Sequence, residues 1–263
     1  VIVCRSAGEI ERLARVNALV AQVLAELKSM VRPGVTTAEL DERAERRLQE
    51  AGALPAFKGY HGYPATICAS VNEQVVHGIP SATTLVEGDI ISIDMGAKLD
   101  GFFGDAAVTV PVGDISPEAA RLLKVTEESL YRALAAVRAG ARVSDIGAAV
   151  QQHVEAHGFS VVREFVGHGI GAKLHEEPQI PNYGTPGRGP RLAEGMVLAI
   201  EPMVNIGKPA VKVLGDGWTA VTKDGSLSAH FEHTVVVTGA GCRILTRTEQ
   251  RTAETAQPVR AAR

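Results

Sequence analysis

Cysteine is scarce in this chain and badly placed for sulfur chemistry. Only Cys4, Cys68 and Cys242 occur among 263 residues, far apart and with no C-x-x-C pair. That spacing argues against both a disulfide framework and a thiolate zinc site. Charge of one sign is not in excess either: 27 Lys and Arg stand against 30 Asp and Glu, a net charge of −3. No basic face announces nucleic acid or an anionic membrane. No apolar run approaches the roughly 20 residues of a membrane span, and Val1 to Val3 is too short for a signal-peptide core. The H-E-x-x-H zinc motif is missing as well, since His153 and His157 have helical i, i+4 spacing but no acidic general base lies between them in the H-E-x-x-H pattern. The expectation is a soluble cytoplasmic protein, and an apolar fraction of 45% is ordinary for one.

Helix signals come in pairs. Ser6-Ala7-Gly8-Glu9 is a capping box, and Ile10, Leu13, Val20, Leu24 and Leu27 then recur at helical spacing, which predicts a helix to about Met30. After Pro33-Gly34, Thr36 or Thr37 caps a second helix ending near Ala51-Gly52. A third starts at Ser116-Pro117 and runs to Val137. An offset of 106 residues aligns Val31, Arg32 and Gly34 with Val137, Arg138 and Gly140, and also Leu40 with Ile146 and Gly52 with Gly158. That single offset points to an internal duplication. Each half continues into strands, over 65–110 and 161–237, so helices precede strands in a block. An α+β architecture follows: two pseudo-symmetric halves, about 1–115 and 116–250, sharing a mainly antiparallel sheet in one catalytic domain. The polar stretch from Thr248, including a tail over 251–263, lacks periodicity and is expected to fray.

The chemistry begins in the stretch Asp89 to Pro111. Ile90, Ile91 and Ile93 on one side and Val108 and Val110 on the other read as two strands, with Asp100-Gly101 as the turn signal. Asp94 and Asp105 lie near the strand centres. A loop over 98–101 would set them directly opposite; a two-residue Asp100-Gly101 turn would make them diagonal neighbours on one face. Either register brings two like charges together among apolar side chains, which costs several kcal/mol unless a cation or a shared proton compensates them. A bound metal is the simplest compensation.

Three more polar residues interrupt apolar strands. His168 sits in Gly167-His168-Gly169-Ile170-Gly171, Glu201 follows Met196-Val197-Leu198-Ala199-Ile200, and Glu232 precedes His233-Thr234-Val235-Val236-Val237. One glutamate in a strand usually faces solvent. Four carboxylates and a histidine in such settings form an oxygen and nitrogen ligand set without thiolate, suited to two divalent ions. His77, before Gly78-Ile79-Pro80, and His175, in Leu174-His175-Glu176, are candidates of a weaker kind, because a strand cap or an exposed loop would explain each equally well. His61, His153, His157, His230 and His233 are assigned no role.

The stretches SVNEQVVHGIP from Ser70, IDMGAKLDGFFGDAAVTV from Ile93, GHGIGAKLHEEPQIPNY from Gly167, GMVLAIEPMV from Gly195 and DGWTAVTKDGSLSAHFEHT from Asp216 resemble type I methionine aminopeptidases. The similarity runs from Ser6 to Thr246. The ordered D, D, H, E, E set is shared by the wider pita-bread superfamily of metallopeptidases, and the resemblance implies that fold.

It further implies metal ligands at Asp94, Asp105, His168, Glu201 and Glu232, with Asp105 and Glu232 bridging two ions drawn from cobalt, manganese, iron or zinc. His77 and His175 match the catalytic histidines beside the metals, and Glu201 the residue that shuttles a proton. The methionine pocket falls on Tyr60, Tyr63, Cys68, His77 and Trp218. Phe57 and Leu174 depart from the family pattern, which commonly has a smaller residue and a phenylalanine there. Asn72, Gln74 and Ser228 match positions where some members bind a monovalent cation through main-chain carbonyls. The implied activity is removal of an N-terminal methionine from new polypeptides whose second residue is small, by a cytoplasmic monomer in possible contact with the ribosome. No membrane and no nucleic acid enter as partner or substrate.

The short Glu201 to Glu232 interval leaves no room for the insertion of type II enzymes, and no Cys- and His-rich extension precedes Ser6. Two rivals share the fold. X-Pro aminopeptidases and dipeptidases usually carry an added N-terminal domain, for which a chain starting near its first helix has no room. Non-catalytic binding modules have usually lost ligands, whereas all five matching residues are present here.

Overall fold

A computed structural model describes residues 1–247. The expected fraying from Thr248 and the tail over 251–263 lie outside the described residues. Among the described residues no helix is long and apolar enough to cross a membrane.

Among the described residues four α-helices form, the first three where the caps place them. Helix α1 spans Ala7–Met30: the Ser6 N–H donates to the Glu9 carboxylate at 2.9 Å, and the Glu9 N–H donates back to the Ser6 hydroxyl. Helix α2, Thr37–Glu50, has the same box from Thr36 and Glu39. Helix α3, Pro117–Ala136, starts at a Ser116 cap with proline at its first position. Helix α4, Val143–Ala156, keeps the carboxylate half of the box, with the Arg142 N–H donating to Asp145 at 2.7 Å.

Both bounds of α2 reappear 106 residues later as the bounds of α4, and α1 and α3 end at that same offset. In the strands that follow, the offset becomes 107. It superposes Glu87-Gly88 on Glu194-Gly195, both glycines having φ above +80°, and carries Asp94 onto Glu201. The two halves therefore place a carboxylate at equivalent points.

Among the described residues every strand pair is antiparallel. In the first half, strand Ile90–Leu99 has Phe102–Pro111 on one edge and Ile67–Val71 with the short Leu54–Pro55 on the other. In the second, a five-stranded sheet runs Cys242–Ile244, His233–Val237, Val197–Ile200, Gly167–Gly169, Glu176–Ile180. The sheets meet where the Glu232 N–H donates to the Ala107 carbonyl at 2.9 Å and the Thr234 hydroxyl donates to the Asp105 carbonyl at 2.8 Å.

Strand alternation decides what faces the site. Ile91, Ile93, Met95 and Ala97 join Ala106 and Val110 in one core with α1 and α2. Leu198, Ile200, Val235 and Val237 join α3 and α4 in the other. Residues of the opposite parity, Asp94 and Asp105 among them, point away from the first helix pair. The hairpin pairs Leu99 with Phe102 and Gly96 with Asp105. Its turn is therefore Asp100-Gly101 alone, with φ of 50° and 81°, a left-handed pair that asparagine-like residues and glycine tolerate. Of the two registers open from sequence, the diagonal one forms.

Candidate metal centre and its cavity

Asp94, Asp105, His168, Glu201 and Glu232 line one cavity of about 180 Å³. The hairpin contributes the two aspartates, the first-half share. His168 comes from Gly167–Gly169, a strand squeezed so closely that a Cβ on Gly167 would lie 2.4 Å from the Ala199 carbonyl and one on Gly169 2.2 Å from that of Glu177. Glu201 follows strand Val197–Ile200 and Glu232 precedes His233–Val237.

Ligand atoms of Asp105, His168 and Glu232 lie within 4.8 Å of one another. His168 Nε2 is 3.5 Å from Glu201 Oε1 and 3.9 Å from Asp105 Oδ2. Its Nδ1 is 2.9 Å from the Gly169 carbonyl, which can only accept, so the proton sits on Nδ1 and Nε2 offers its lone pair to the cavity.

Burial, and after it the crowding of carboxylates, dominates the electrostatics. Burial pushes the Asp94 carboxyl up to about 7. Asp105 is raised by burial and then by Glu232 and Asp94; Glu201 by burial and then by Asp94 and Asp105; Glu232 by burial and then by Glu201 and Asp94. Asp94 Oδ1, Asp105 Oδ1 and Glu232 Oε1 are buried with no hydrogen-bond partner. Unpartnered anionic oxygens beside one imidazole nitrogen are the donor set of hard or borderline divalent ions, and the residues fit such a group.

The imidazoles are held neutral. Burial lowers His168 to about 4, helped by His175. His77 is lowered by burial and His175, and His175 by burial and His61. His175 Nδ1 is 2.8 Å from the Tyr60 hydroxyl. His77, at φ 61°, packs edge-on to Phe165 and Trp218.

Tyr60, Tyr63, Cys68, His77 and Trp218 all line the cavity, and three of them sit in an apolar lobe. Tyr63, Ala65 and Cys68 are buried together, with Phe57, Ile79 and Trp218 against them. Tyr63 meets Trp218 edge-to-face at 5.1 Å, and its hydroxyl lies 3.0 Å from the Ile67 and Gly78 carbonyls. Burial and then the nearby Asp94 push the Cys68 thiol well up, so it is an inert wall and no nucleophile. Phe57 and Leu174 both line the cavity. Away from it, the Ser228 N–H donates to the Asn72 carbonyl at 3.0 Å, while the Gln74 side chain accepts from the Val71 N–H.

Several neighbours were not legible in the sequence. His230, assigned no role there, is fully buried with Nε2 3.9 Å from Glu201 Oε2. His61, likewise assigned none, lines the cavity beside Tyr60. Asn182 donates to the Glu201 carbonyl at 3.0 Å. Their only signal in the chain is proximity to other motif residues, and it does not separate a wall from a loop.

The chain belongs to metallopeptidase family M24, whose family model matches residues 11–239. It is thus a metal-dependent hydrolase with that family's pita-bread fold. Within the family it is similar to methionine aminopeptidases. It is 55% identical over 246 residues to methionine aminopeptidase 1 of Bacillus subtilis, covering 94% of this chain and 99% of that protein. It is 53% identical to the methionine aminopeptidase of Clostridium perfringens, covering 93% and 98%. The crystal structure of a methionine aminopeptidase from Thermotoga maritima superposes with a TM-score of 0.93 at 46% identity, covering 94% of this chain and all of that one.

Proposed function

We propose that this chain removes the N-terminal methionine from polypeptides whose second residue is small. The observation that carries the reading is the set of four buried carboxylates and His168 facing one cavity, with three carboxylate oxygens unpartnered. Asp94, Asp105, His168, Glu201 and Glu232 would hold two divalent ions. When bound, such ions would polarise the first peptide carbonyl and bring the pKa of water down towards neutrality.

The chain's own groups do the rest. Glu201, whose side chain keeps 15% exposure, is placed to take the proton of the attacking water and pass it to the leaving amine. A Tyr60 O–H donated to His175 Nδ1 leaves the proton of the neutral ring on Nε2, free to donate to the developing oxyanion. His77, neutral through burial, contacts the scissile amide. The lobe of Tyr63, Cys68 and Trp218 takes the thioether side chain, with sulfur against aromatic edges. Crowding past the scissile bond selects a small second residue.

Residues 1–250 act in this reading as one catalytic domain, because neither half holds the whole site: the aspartates come from the first and His168, Glu201 and Glu232 from the second. A monovalent cation beside Asn72, Gln74 and Ser228, a monomeric state and contact with the ribosome complete the proposal. Potassium dependence of activity, sedimentation and ribosome pelleting test these three in turn.

The decisive experiment measures methionine release from Met-X-Ser peptides of rising X size after reconstitution with cobalt, manganese, iron or zinc. Release should be fastest with X as Gly or Ala and fall steeply for Leu or larger. Equal turnover across the series, or preference for an X-Pro peptide, would overturn the assignment. No activity and no bound metal under all four would leave a binding module.

A further inference from the structure

The second helix pair, α3 and α4, brings together three side chains with no part in the cavity. His153 and His157 stand one helical turn apart at the end of α4, their ring centroids 4.5 Å apart. From α3, Glu128 places Oε2 3.2 Å from His153 Nε2. One ligand atom from each residue lies within 4.8 Å of the other two. The acid that an H-E-x-x-H motif would carry between its histidines is supplied here across a helix interface.

We propose that Glu128, His153 and His157 form a second metal site, selective for a borderline divalent ion such as zinc. Two imidazoles and one carboxylate suit zinc better than magnesium or calcium, which prefer oxygen. His157 Nδ1 donates to the His153 carbonyl at 2.7 Å, so Nε2 carries the lone pair and the ring is already oriented for a ligand. The site also lies at the C-terminal end of α4, the negative end of the helix dipole, which favours a cation.

The charged groups facing it are few. Lys124, itself 74% exposed, lies 3.9 Å from Glu128 Oε1 and leaves Oε2 turned to His153. Arg121 donates to the His157 carbonyl and so points its charge at the backbone rather than the rings. Zinc–nitrogen bonds of about 2.0–2.1 Å require the three groups to draw together. Glu128 and His157 reach into solvent and can rotate to do so. The bound ion would staple the end of α4 to α3, leaving a further position for water.

Equilibrium dialysis against micromolar zinc, on the full chain and its Glu128→Gln and His157→Gln variants, tests this directly. The wild type should bind one more zinc per chain than either variant, and zinc should raise its thermal midpoint more than theirs. Neither residue touches the peptidase cavity, so methionine release should stay within about twofold of wild type in both variants. Equal zinc counts in all three proteins, or two imidazole NMR signals that do not move on zinc addition while the cavity fills, would overturn the second site. A failure of the peptidase assay alone would bear only on the cavity.

Discussion

Replacing Asp94 by asparagine removes one charge from the crowded cavity at nearly constant volume. Burial has lifted this carboxyl from 3.8 to about 7, so ionising it in the folded, metal-free chain costs roughly 4 kcal/mol. With the folded value above the unfolded one, the aspartate's contribution is intact below pH 4 and is lost as pH rises through about 7. Asp94 is also a cause of the raised carboxyls of Asp105, Glu201 and Glu232, so its removal relaxes all three. In chelator-stripped protein at pH 8, Asp94→Asn should therefore be more stable than wild type by about 2–4 kcal/mol, or roughly 5–15 °C in midpoint for a chain of this size. The difference should shrink below about 1 kcal/mol near pH 4, where both side chains are neutral. Divalent metal should reverse the order, because the wild type gains binding energy that the variant forfeits. Urea denaturation across that pH range, with and without metal, gives all three numbers. An asparagine variant less stable than wild type in the stripped protein at pH 8 would refute the claim that burial of these charges, with their mutual repulsion, destabilises the metal-free cavity.

His175→Ala should lose at least about a hundredfold in kcat while keeping its metal, as the proposed donation to the oxyanion without an ion requires; Asp105→Ala should lose both, by activity and metal analysis. Tyr60→Phe removes the hydroxyl 2.8 Å from His175 Nδ1 and should lower kcat about tenfold with little change in KM, as expected of one orienting hydrogen bond. Thr36→Ala breaks the cap of α2, far from the cavity, and should cost about 1 kcal/mol in urea denaturation without changing turnover.

Local chemistry determined much of this protein from sequence alone. The capping boxes at Ser6 and Thr36 and the proline after Ser116 set where helices begin within a residue or two, because a cap is satisfied by atoms three residues away. The repeat of 106 residues was readable for the same reason: identical local signals recur in order. Acidic residues inside apolar strands announced that something must compensate them, and the family motifs named five candidates. Tertiary structure decided the rest. Only the folded hairpin chose between opposite and diagonal aspartates, through two left-handed turn residues. Only the packed joint between the sheets, with Glu232 bonded to Ala107 and Thr234 to Asp105, brings the second half's candidate ligands against the first half's. His230 beside Glu201 and Glu128 beside His153 lie 29 and 25 residues from their partners in the chain, on separate elements with no shared periodicity. Their meeting depends on how whole sheets and helices pack, and chain order does not encode through-space distance.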